Sequence, residues 1–206
     1  AFIDGAAPDS VNPSLWRQAK LNNIHGLFEV TPGIYQLRGF DLANITLIQG
    51  KTGWILVDPL TTAPTARNAL AFAREQLGEQ KISAIIFTHS HIDHFGGIDG
   101  VLTDNEREQL QVIAPEGFME EASSENILAG PTMQRRAQYM YGSRLERSAT
   151  GHVDTGLGKQ PPFGGDIGIL APTHIVSQTG QTLTVDGVDI VFQYTPASEA
   201  PAEMTF

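Results

Sequence analysis

The fold of this chain is decided by a ten-residue stretch, residues 88–97, whose sequence is THSHIDHFGG. The apolar run 84–87 precedes it and predicts a buried strand, while Gly96 and Gly97 predict a turn rather than a helix. Three histidines and one aspartate therefore lie within six residues at the end of a strand. Imidazole nitrogens and a carboxylate oxygen together suit zinc and related divalent metals. The stretch thus predicts a metal site.

The spacing within this stretch favours two metal ions. His89 and His91 are separated by one residue, so in an extended segment their side chains point the same way. Asp93 continues this alternation, and His94 is its neighbour on the opposite side. One turn can therefore give two ligands to one ion and two to another. The alternative is a solvated polar turn after a strand. That alternative explains two histidines more readily than three histidines, an aspartate and a Gly-Gly stop.

Composition argues against several classes of function. The 206 residues, of which 41% are hydrophobic, are enough for one domain with its own core. The formal net charge is −10 and there is no basic run, which argues against a nucleic-acid partner. The chain has no cysteine, and hence neither disulfides nor thiolate ligands. No stretch approaches the ~20 apolar residues of a membrane helix, so no membrane span is expected.

The remaining pattern is typical of an α/β fold. Apolar residues recur on one face of Ala63–Leu77, and Gly78 then ends this predicted helix. The helix lies between two predicted strands, which places the motif at the carboxyl end of a strand, where ligands bind in such sheets. Asp186 and Gly187 predict a hairpin between two short strands. Further strands are predicted at 33–37, 45–48, 54–58 and 111–114, and helices at 13–18, from 116 past 126, and at 132–147.

Two further groups of charged residues have alternative interpretations. Asp58 ends a predicted strand before Pro59, and it either caps a turn or supports the metal ligands through hydrogen bonds. Both roles are favoured over direct ligation. Arg135, Arg136 and Arg144 concentrate positive charge on one predicted helix. These arginines form either a solvated helix face or an anion-facing wall near the metals.

The His-x-His-x-Asp-His motif resembles the signature of the metallo-β-lactamase superfamily. That resemblance implies an αβ/βα sandwich with a one- or two-metal site at the edge of the sheet. It also implies that His89 and His91 bind the first metal, and that Asp93 and His94 bind the second.

At the next ligand position the chain departs from the superfamily pattern, in which a histidine follows Thr-Pro-Gly. No histidine follows Thr195 and Pro196, and the first available ligand is Glu199, with Glu203 next. A carboxylate can replace imidazole on a divalent metal. The alternative is that both glutamates are exposed acidic residues in a Pro/Ala loop, which applies more to Glu203 than to Glu199.

Phrases along nearly the whole chain resemble one branch of this superfamily, the linear and secondary alkylsulfatases. They are NPSLWRQ (12–18), GFDLAN (39–44), GW (53–54) with VDPL (57–60), residues 88–97, APEGF (114–118), YMYG (139–142) and EAPAEM (199–204). The resemblance implies an enzyme with two Zn²⁺ ions per site that cleaves alkyl sulfate esters, such as dodecyl sulfate, to alcohol and sulfate. In such an enzyme Glu199 is a metal ligand. Asp93 is then the catalytic residue that helps to bind and orient the bridging water.

The resemblance also implies a homodimer and, often, export to the periplasm or the medium. A cytoplasmic location is the alternative, because a chain without cysteine is compatible with any compartment. Alkylsulfatases are much longer than this chain, so residues 1–206 are expected to be the amino-terminal portion of the catalytic domain. The dimerisation domain and the sterol-carrier-like domain of the family are absent from it. The sandwich is therefore expected to be incomplete and to expose an apolar face of its first sheet. The remainder of the enzyme, or a second chain, would complete it.

Three other functions are compatible with the histidine motif. A thioesterase or lactamase of the same fold is not expected to have Glu199 in place of histidine. A non-catalytic module would bind metal without cleaving an ester. A redox diiron protein would carry iron and need an electron partner.

Overall fold

A computed structural model describes residues 2–160 and 164–206, so Ala1 and residues 161–163 of the predicted domain 1–206 lie outside the described residues. Its centre is a seven-stranded sheet in which neighbouring strands follow the order of the chain. The strands are β1 (Gly26–Thr31), β2 (Ile34–Arg38), β3 (Ile45–Gln49), β4 (Trp54–Val57), β5 (Ile82–Ile86), β6 (Gln111–Pro115) and β7 (His174–Val176). Strands β1 to β4 pair antiparallel, whereas β4 to β7 pair parallel. The parallel half therefore gathers several strand ends at one edge.

The helices of the described residues are α1 (Pro13–Asn22), α2 (Ala63–Leu77), α3 (Asp104–Arg107), α4 (Phe118–Ser123) and α5 (Gly130–Tyr141). Helices α2 and α4 pack on one face of the sheet, whereas α1 lies in a separate buried cluster with Ile3, Val11 and Val153. Helix α2 has the predicted bounds. Its apolar face is buried in one cluster with the sheet and Phe118 of α4, as its apolar spacing predicts. It ends at Gly78, whose φ of 87° is a conformation that favours glycine.

The opposite face of the sheet is also covered at its centre, so the expectation of an exposed apolar face was wrong there. A hairpin of β8 (Thr182–Val185) and β9 (Val188–Val191) packs on it, followed by β10 (Gln193–Tyr194) and β11 (Met204–Thr205). The buried cluster between the layers contains Ile48, Ile55, Val57, Ile86 and Ile113 of the sheet, with Val185, Ile190, Phe192 and Met204. The hairpin is fixed by Asp186, whose carboxylate accepts hydrogen bonds from the backbone N–H groups of Thr52 and Gly53.

The fold is therefore α/β with two layers of strands, as predicted, and its second layer is short. That layer consists of two two-stranded sheets against the seven strands of the first. Strands β1 and β7 were not predicted. The helix predicted at 132–147 begins at Gly130 and ends at Tyr141, and a π-helical turn, Ser124–Leu128, lies between α4 and α5. Within residues 2–160 and 164–206, no helix has the length and hydropathy needed to cross a membrane.

Candidate metal centre

The histidine-rich stretch lies just after the end of β5, at the carboxyl edge of the parallel strands. His89 forms an isolated β-bridge with Glu203, and Ile92–His94 forms a 3₁₀ turn. Position 97, just after this turn, requires glycine, because a Cβ there would lie 2.0 Å from the carbonyl oxygen of Pro59. The motif is thus held in a tight turn against the segment that follows β4, as the Gly-Gly pair predicts.

Three of the predicted ligands form a cluster that can hold a metal ion. One donor atom each from His89, His91 and Glu199 lies within 4.8 Å of the other two. His89 is buried, and its Nε2 atom has no hydrogen-bond partner among the described residues. A buried polar atom is destabilising unless a partner satisfies it, so this nitrogen fits a ligand to a bound ion. Imidazole and carboxylate are also the donors that zinc prefers in proteins.

Asp58 organises the histidines through a chain of hydrogen bonds. Its carboxylate accepts from the Thr88 backbone N–H (2.9 Å), the Thr88 hydroxyl (2.7 Å) and His94 Nδ1 (2.8 Å). The Thr88 hydroxyl, which donates to Asp58, in turn accepts a hydrogen bond from His89 Nδ1 at 2.9 Å. His89 and His94 therefore carry a proton on Nδ1 and present Nε2 to the site. Of the two roles that the sequence allowed for Asp58, the structure shows support of the histidines.

Asp93 and His94 lie beside the three-residue cluster as a pair. His94 Nε2 is 3.3 Å from Asp93 Oδ2. The His94 ring centroid is 3.9 Å from that of His89, so the pair and the cluster are immediate neighbours. Among the described residues, the cluster of donor atoms close enough to share one ion contains His89, His91 and Glu199. Asp93 and His94 lie outside that cluster. The structure thus brings the five predicted ligands together as a group of three and an adjacent pair.

The charges of the pair stabilise each other. Burial lowers the pKa of His94, but hydrogen bonds to Asp58 and Asp93 outweigh it and raise that pKa from 6.5 to about 10. Burial raises the pKa of Asp93, but the hydrogen bond with His94, the positive charge of His94 and a backbone hydrogen bond together outweigh it and leave the pKa below its ordinary value. The pKa of His89 is lowered by its burial and by the neighbouring His94. His89 is therefore held as neutral imidazole, the form that binds metals.

Glu199 reaches the site from a loop that Glu203 holds in place. The Glu203 carboxylate accepts hydrogen bonds from the backbone N–H groups of Glu199 (2.6 Å) and Ala200 (2.9 Å). With the backbone fixed in this way, Glu199 Oε1 lies 3.9 Å from His91 Nδ1. The two glutamates therefore differ in role. Glu199 faces the histidines, and Glu203 orders the backbone that carries Glu199.

The cluster opens into a cleft of about 1080 Å³. Its walls include Asp93, His94 and Tyr141. Of the three arginines considered from the sequence, Arg136 lines the cleft among the described residues. Apolar side chains from loops and from α5 complete the wall, namely Leu42, Ala43, Met133, Ala137, Met140 and Phe206. The cleft thus joins one cationic side chain and a broad apolar surface to the metal-binding cluster.

Glu125, which was not predicted, lines the same cleft from the π-helical turn. Its Oε2 lies 3.8 Å from His91 Nε2, and its side chain is 26% exposed. No sequence motif identifies this glutamate. Its side chain faces the cleft because the π-helical turn contains one residue more than an α-helical turn. The sequence near it offers only Pro115 and Gly130 as signals, and both concern helix boundaries.

Comparison with known proteins places this geometry in a family. A family model described as the metallo-beta-lactamase superfamily matches residues 38–106, which include the histidine motif. The solved structure of BJP-1, a subclass B3 metallo-beta-lactamase of Bradyrhizobium japonicum, has the same fold, with a TM-score of 0.53 and 19% identity. That similarity covers 87% of this chain and 55% of the lactamase. Residues 38–106 thus belong to a metallo-β-lactamase domain, and the chain has the metallo-β-lactamase fold.

Within that superfamily the chain is similar to alkylsulfatases over nearly its whole length. It is 47% identical to an alkyl/aryl-sulfatase of Saccharomyces cerevisiae, over 98% of this chain and 32% of that protein. It is 49% identical to an (R)-specific secondary-alkylsulfatase of a Pseudomonas species, over 98% and 31%. The solved structure of a stereoselective inverting sec-alkylsulfatase from Pseudomonas superimposes with a TM-score of 0.94 and 48% identity, over 98% and 32%. The chain therefore spans about a third of the length of these relatives.

Proposed function

We propose that this chain carries the metal-binding part of a hydrolase that cleaves alkyl sulfate esters to alcohol and sulfate, with two zinc ions per site. The observation that carries the proposal is the convergence of His89, His91 and Glu199 within 4.8 Å, on a chain similar throughout to alkylsulfatases. Glu199 in place of a histidine supports this branch over a thioesterase or a lactamase of the same fold.

Each predicted ligand has a place in the proposed centre. His89, His91 and Glu199 would hold one ion, and Asp93 and His94 the other. Binding of the second ion would displace the Nε2 proton that His94 carries in the metal-free protein because of its raised pKa. A bound pair of divalent ions supplies Lewis acidity toward water and toward the ester oxygens. Asp58 keeps His94 Nε2 turned toward the site. The Asp93 carboxylate accepts a hydrogen bond from the attacking water and orients it.

The cleft supplies contacts for both ends of an alkyl sulfate. Arg136 offers a permanent positive charge to the sulfate group. The side chains of Met133, Met140 and Phe206 offer apolar surface to the alkyl chain. The net charge of −10 does not oppose this, because divalent cations dominate the electrostatic field within their own site.

The assembly and location of the enzyme are also proposals. We propose a homodimer that is periplasmic or secreted, as the alkylsulfatase resemblance implies. Ile127 and Leu128 of the π-helical turn and Tyr139 of α5 are strongly exposed apolar side chains. A further segment of a longer chain, or a second copy, would cover such apolar surface. Light scattering of the purified protein and fractionation of cells that express it test these two points.

The reaction is tested by metal analysis together with substrate choice. The full chain, meaning the complete enzyme that contains residues 1–206, is expected to bind two zinc ions and to release sulfate from dodecyl sulfate, while an acyl thioester and a cephalosporin stay intact. Residues 1–206 alone are expected to be unstable or inactive. Cleavage of the thioester or the cephalosporin instead would contradict the proposed substrate. Two bound metals without any ester cleavage would indicate a non-catalytic module, and bound iron with redox activity would indicate a diiron protein.

The role of Asp93 is tested by Asp93→Ala. This variant is expected to lose the second ion and to lower kcat by about 10²–10⁴-fold, because it removes both a ligand and the group that orients water. The matched control is Asp104→Ala, since Asp104 is a fully exposed acidic residue on α3. An Asp93→Ala protein that retains two metals and full turnover would contradict the assignment.

A further inference from the structure

We infer that Glu125 is a positioning residue that orients His91 for metal binding, an inference that rests on the proposed metal centre. The His91 ring lies between two carboxylates. Its Nδ1 is 3.9 Å from Glu199 Oε1, and its Nε2 is 3.8 Å from Glu125 Oε2. Glu199 belongs to the metal-binding cluster. His91 therefore directs Nδ1 toward the ion, and Nε2 is the outer nitrogen that Glu125 faces.

The other two histidines of the motif show what an outer nitrogen requires. A histidine that binds a metal through one nitrogen almost always donates the N–H of the other to an oxygen. The outer nitrogen of His89 donates to the Thr88 hydroxyl, and that of His94 donates to Asp58. Glu125 is the group that completes this pattern for His91. The separation of 3.8 Å is longer than a hydrogen bond, and the inference is that it shortens to hydrogen-bond length when the ion is bound.

The local backbone explains how Glu125 comes to face the cleft. Ser124–Leu128 is a π-helical turn, closed by a hydrogen bond from Ala129 N–H to the Ser124 carbonyl oxygen at 3.0 Å. The Asn126 side chain ties this turn to α4 by donating to the Ala122 carbonyl oxygen at 2.8 Å. One extra residue changes the rotation between α4 and α5 by roughly 100°. Glu125 and the inner face of α5 consequently line the same cleft.

The surroundings of Glu125 favour this role over that of a solvated acidic residue. Only 26% of its side chain is exposed. Among the described residues, its ion-pair partner is His91 rather than a lysine or an arginine. A partly buried carboxylate needs a donor to offset its desolvation, and the His91 Nε2 atom, 3.8 Å away, is the group placed to become that donor.

The test compares Glu125→Ala and Glu125→Gln with the wild-type full chain, in the absence of substrate. Zinc affinity is measured by competition with a chromogenic chelator. Glu125→Ala is expected to weaken binding of one ion by about 10–100-fold. Glu125→Gln is expected to weaken it less, because the amide oxygen still accepts from His91 Nε2–H. The matched control is Glu120→Ala, since Glu120 is an exposed glutamate on α4, and its affinity should equal that of the wild type.

A second measurement follows the outer nitrogen itself. In the zinc-loaded wild type, the Nε2–H proton of His91 should give an NMR signal protected from exchange with water, and Glu125→Ala should remove that protection. Unchanged zinc affinity and unchanged protection in Glu125→Ala would overturn the inference. So would an equal loss of affinity in Glu125→Gln and Glu125→Ala, because it would make Glu125 a direct ligand. Since both measurements use zinc alone, failure of sulfate-ester cleavage would overturn the proposed reaction without altering this result.

Discussion

The two halves of the candidate metal centre are built in different ways. The histidine half comes from one turn after β5, where His89 is 4% exposed and Asp58 fixes the rings from a buried position. The glutamate half comes from a loop far along the chain, and the Glu199 side chain is 67% exposed. Its backbone is ordered by hydrogen bonds to Glu203 rather than by burial. A buried network can thus prepare ligands in advance, whereas an exposed ligand depends on how firmly its loop is held.

This difference predicts that the largest effect comes from the buried network. Asp58→Ala removes the acceptor of three hydrogen bonds and frees the His94 ring. Zinc affinity is expected to fall by about 10–100-fold, and the free energy of unfolding by about 1–3 kcal/mol, because buried donors lose their partner. Chelator competition and chemical denaturation measure the two quantities. Asp58→Asn, which keeps one acceptor oxygen, should lie between the wild type and Asp58→Ala; an Asp58→Ala protein with wild-type affinity would remove the proposed distinction.

A smaller effect is expected from the loop that carries Glu199. Glu203→Ala removes the acceptor of the Glu199 and Ala200 N–H groups and leaves the Glu199 side chain and the histidine network intact. Fixing one backbone residue on binding costs about 1–2 kcal/mol, so zinc affinity should fall roughly tenfold. Glu199→Ala provides the comparison, because it removes the ligand itself and should weaken binding more. If Glu203→Ala lowers the affinity as much as Glu199→Ala does, Glu203 is a ligand and not a support.

The smallest effect is expected where the second layer of strands is attached. Asp186→Asn weakens the hydrogen bonds from Thr52 and Gly53 that hold the β8–β9 hairpin. The free energy of unfolding at pH 7 should fall by about 1 kcal/mol, with zinc affinity unchanged, since the hairpin turn contributes no ligand.

The pH dependence of this difference follows from the pKa of Asp186. Burial raises that pKa, but hydrogen bonds from Thr52, Ser83 and Gly53 together outweigh burial and lower it below 3.8. A lowered pKa means that the ionised carboxylate stabilises the folded state above its ordinary pKa, and that this stabilisation disappears as the pH falls through the folded value. The stabilities of wild type and Asp186→Asn should therefore converge in acid. A difference that grows below pH 3.8 would contradict this reading.

The parts predicted correctly from the sequence depend on short-range patterns. The helix Ala63–Leu77 follows from its apolar spacing and Gly78, and the β8–β9 hairpin follows from Asp186 and Gly187. The histidine turn could be predicted because its ligands lie within six residues and two glycines allow close approach to the preceding segment.

The parts that were missed depend on contacts between distant segments. Strand β7 is only three residues long and exists because it pairs with β6. The coverage of the sheet's second face depends on the packing of Phe192 and Met204, which no local pattern encodes. Glu125 was missed because a π-helical turn, and not a motif, aims it at His91. Glu199 was predicted only through resemblance, first as the available ligand at the position where the superfamily has a histidine and then through the alkylsulfatases, since a glutamate in a Pro/Ala loop carries little local signal.

The most direct test of the proposed centre is anomalous X-ray scattering at the zinc edge from crystals of the zinc-loaded full chain. We predict two peaks, one contacted by His89, His91 and Glu199 and the other by Asp93 and His94. The absence of peaks at these side chains, with His89 Nε2 and His91 Nδ1 hydrogen-bonded to protein groups instead, would contradict the account.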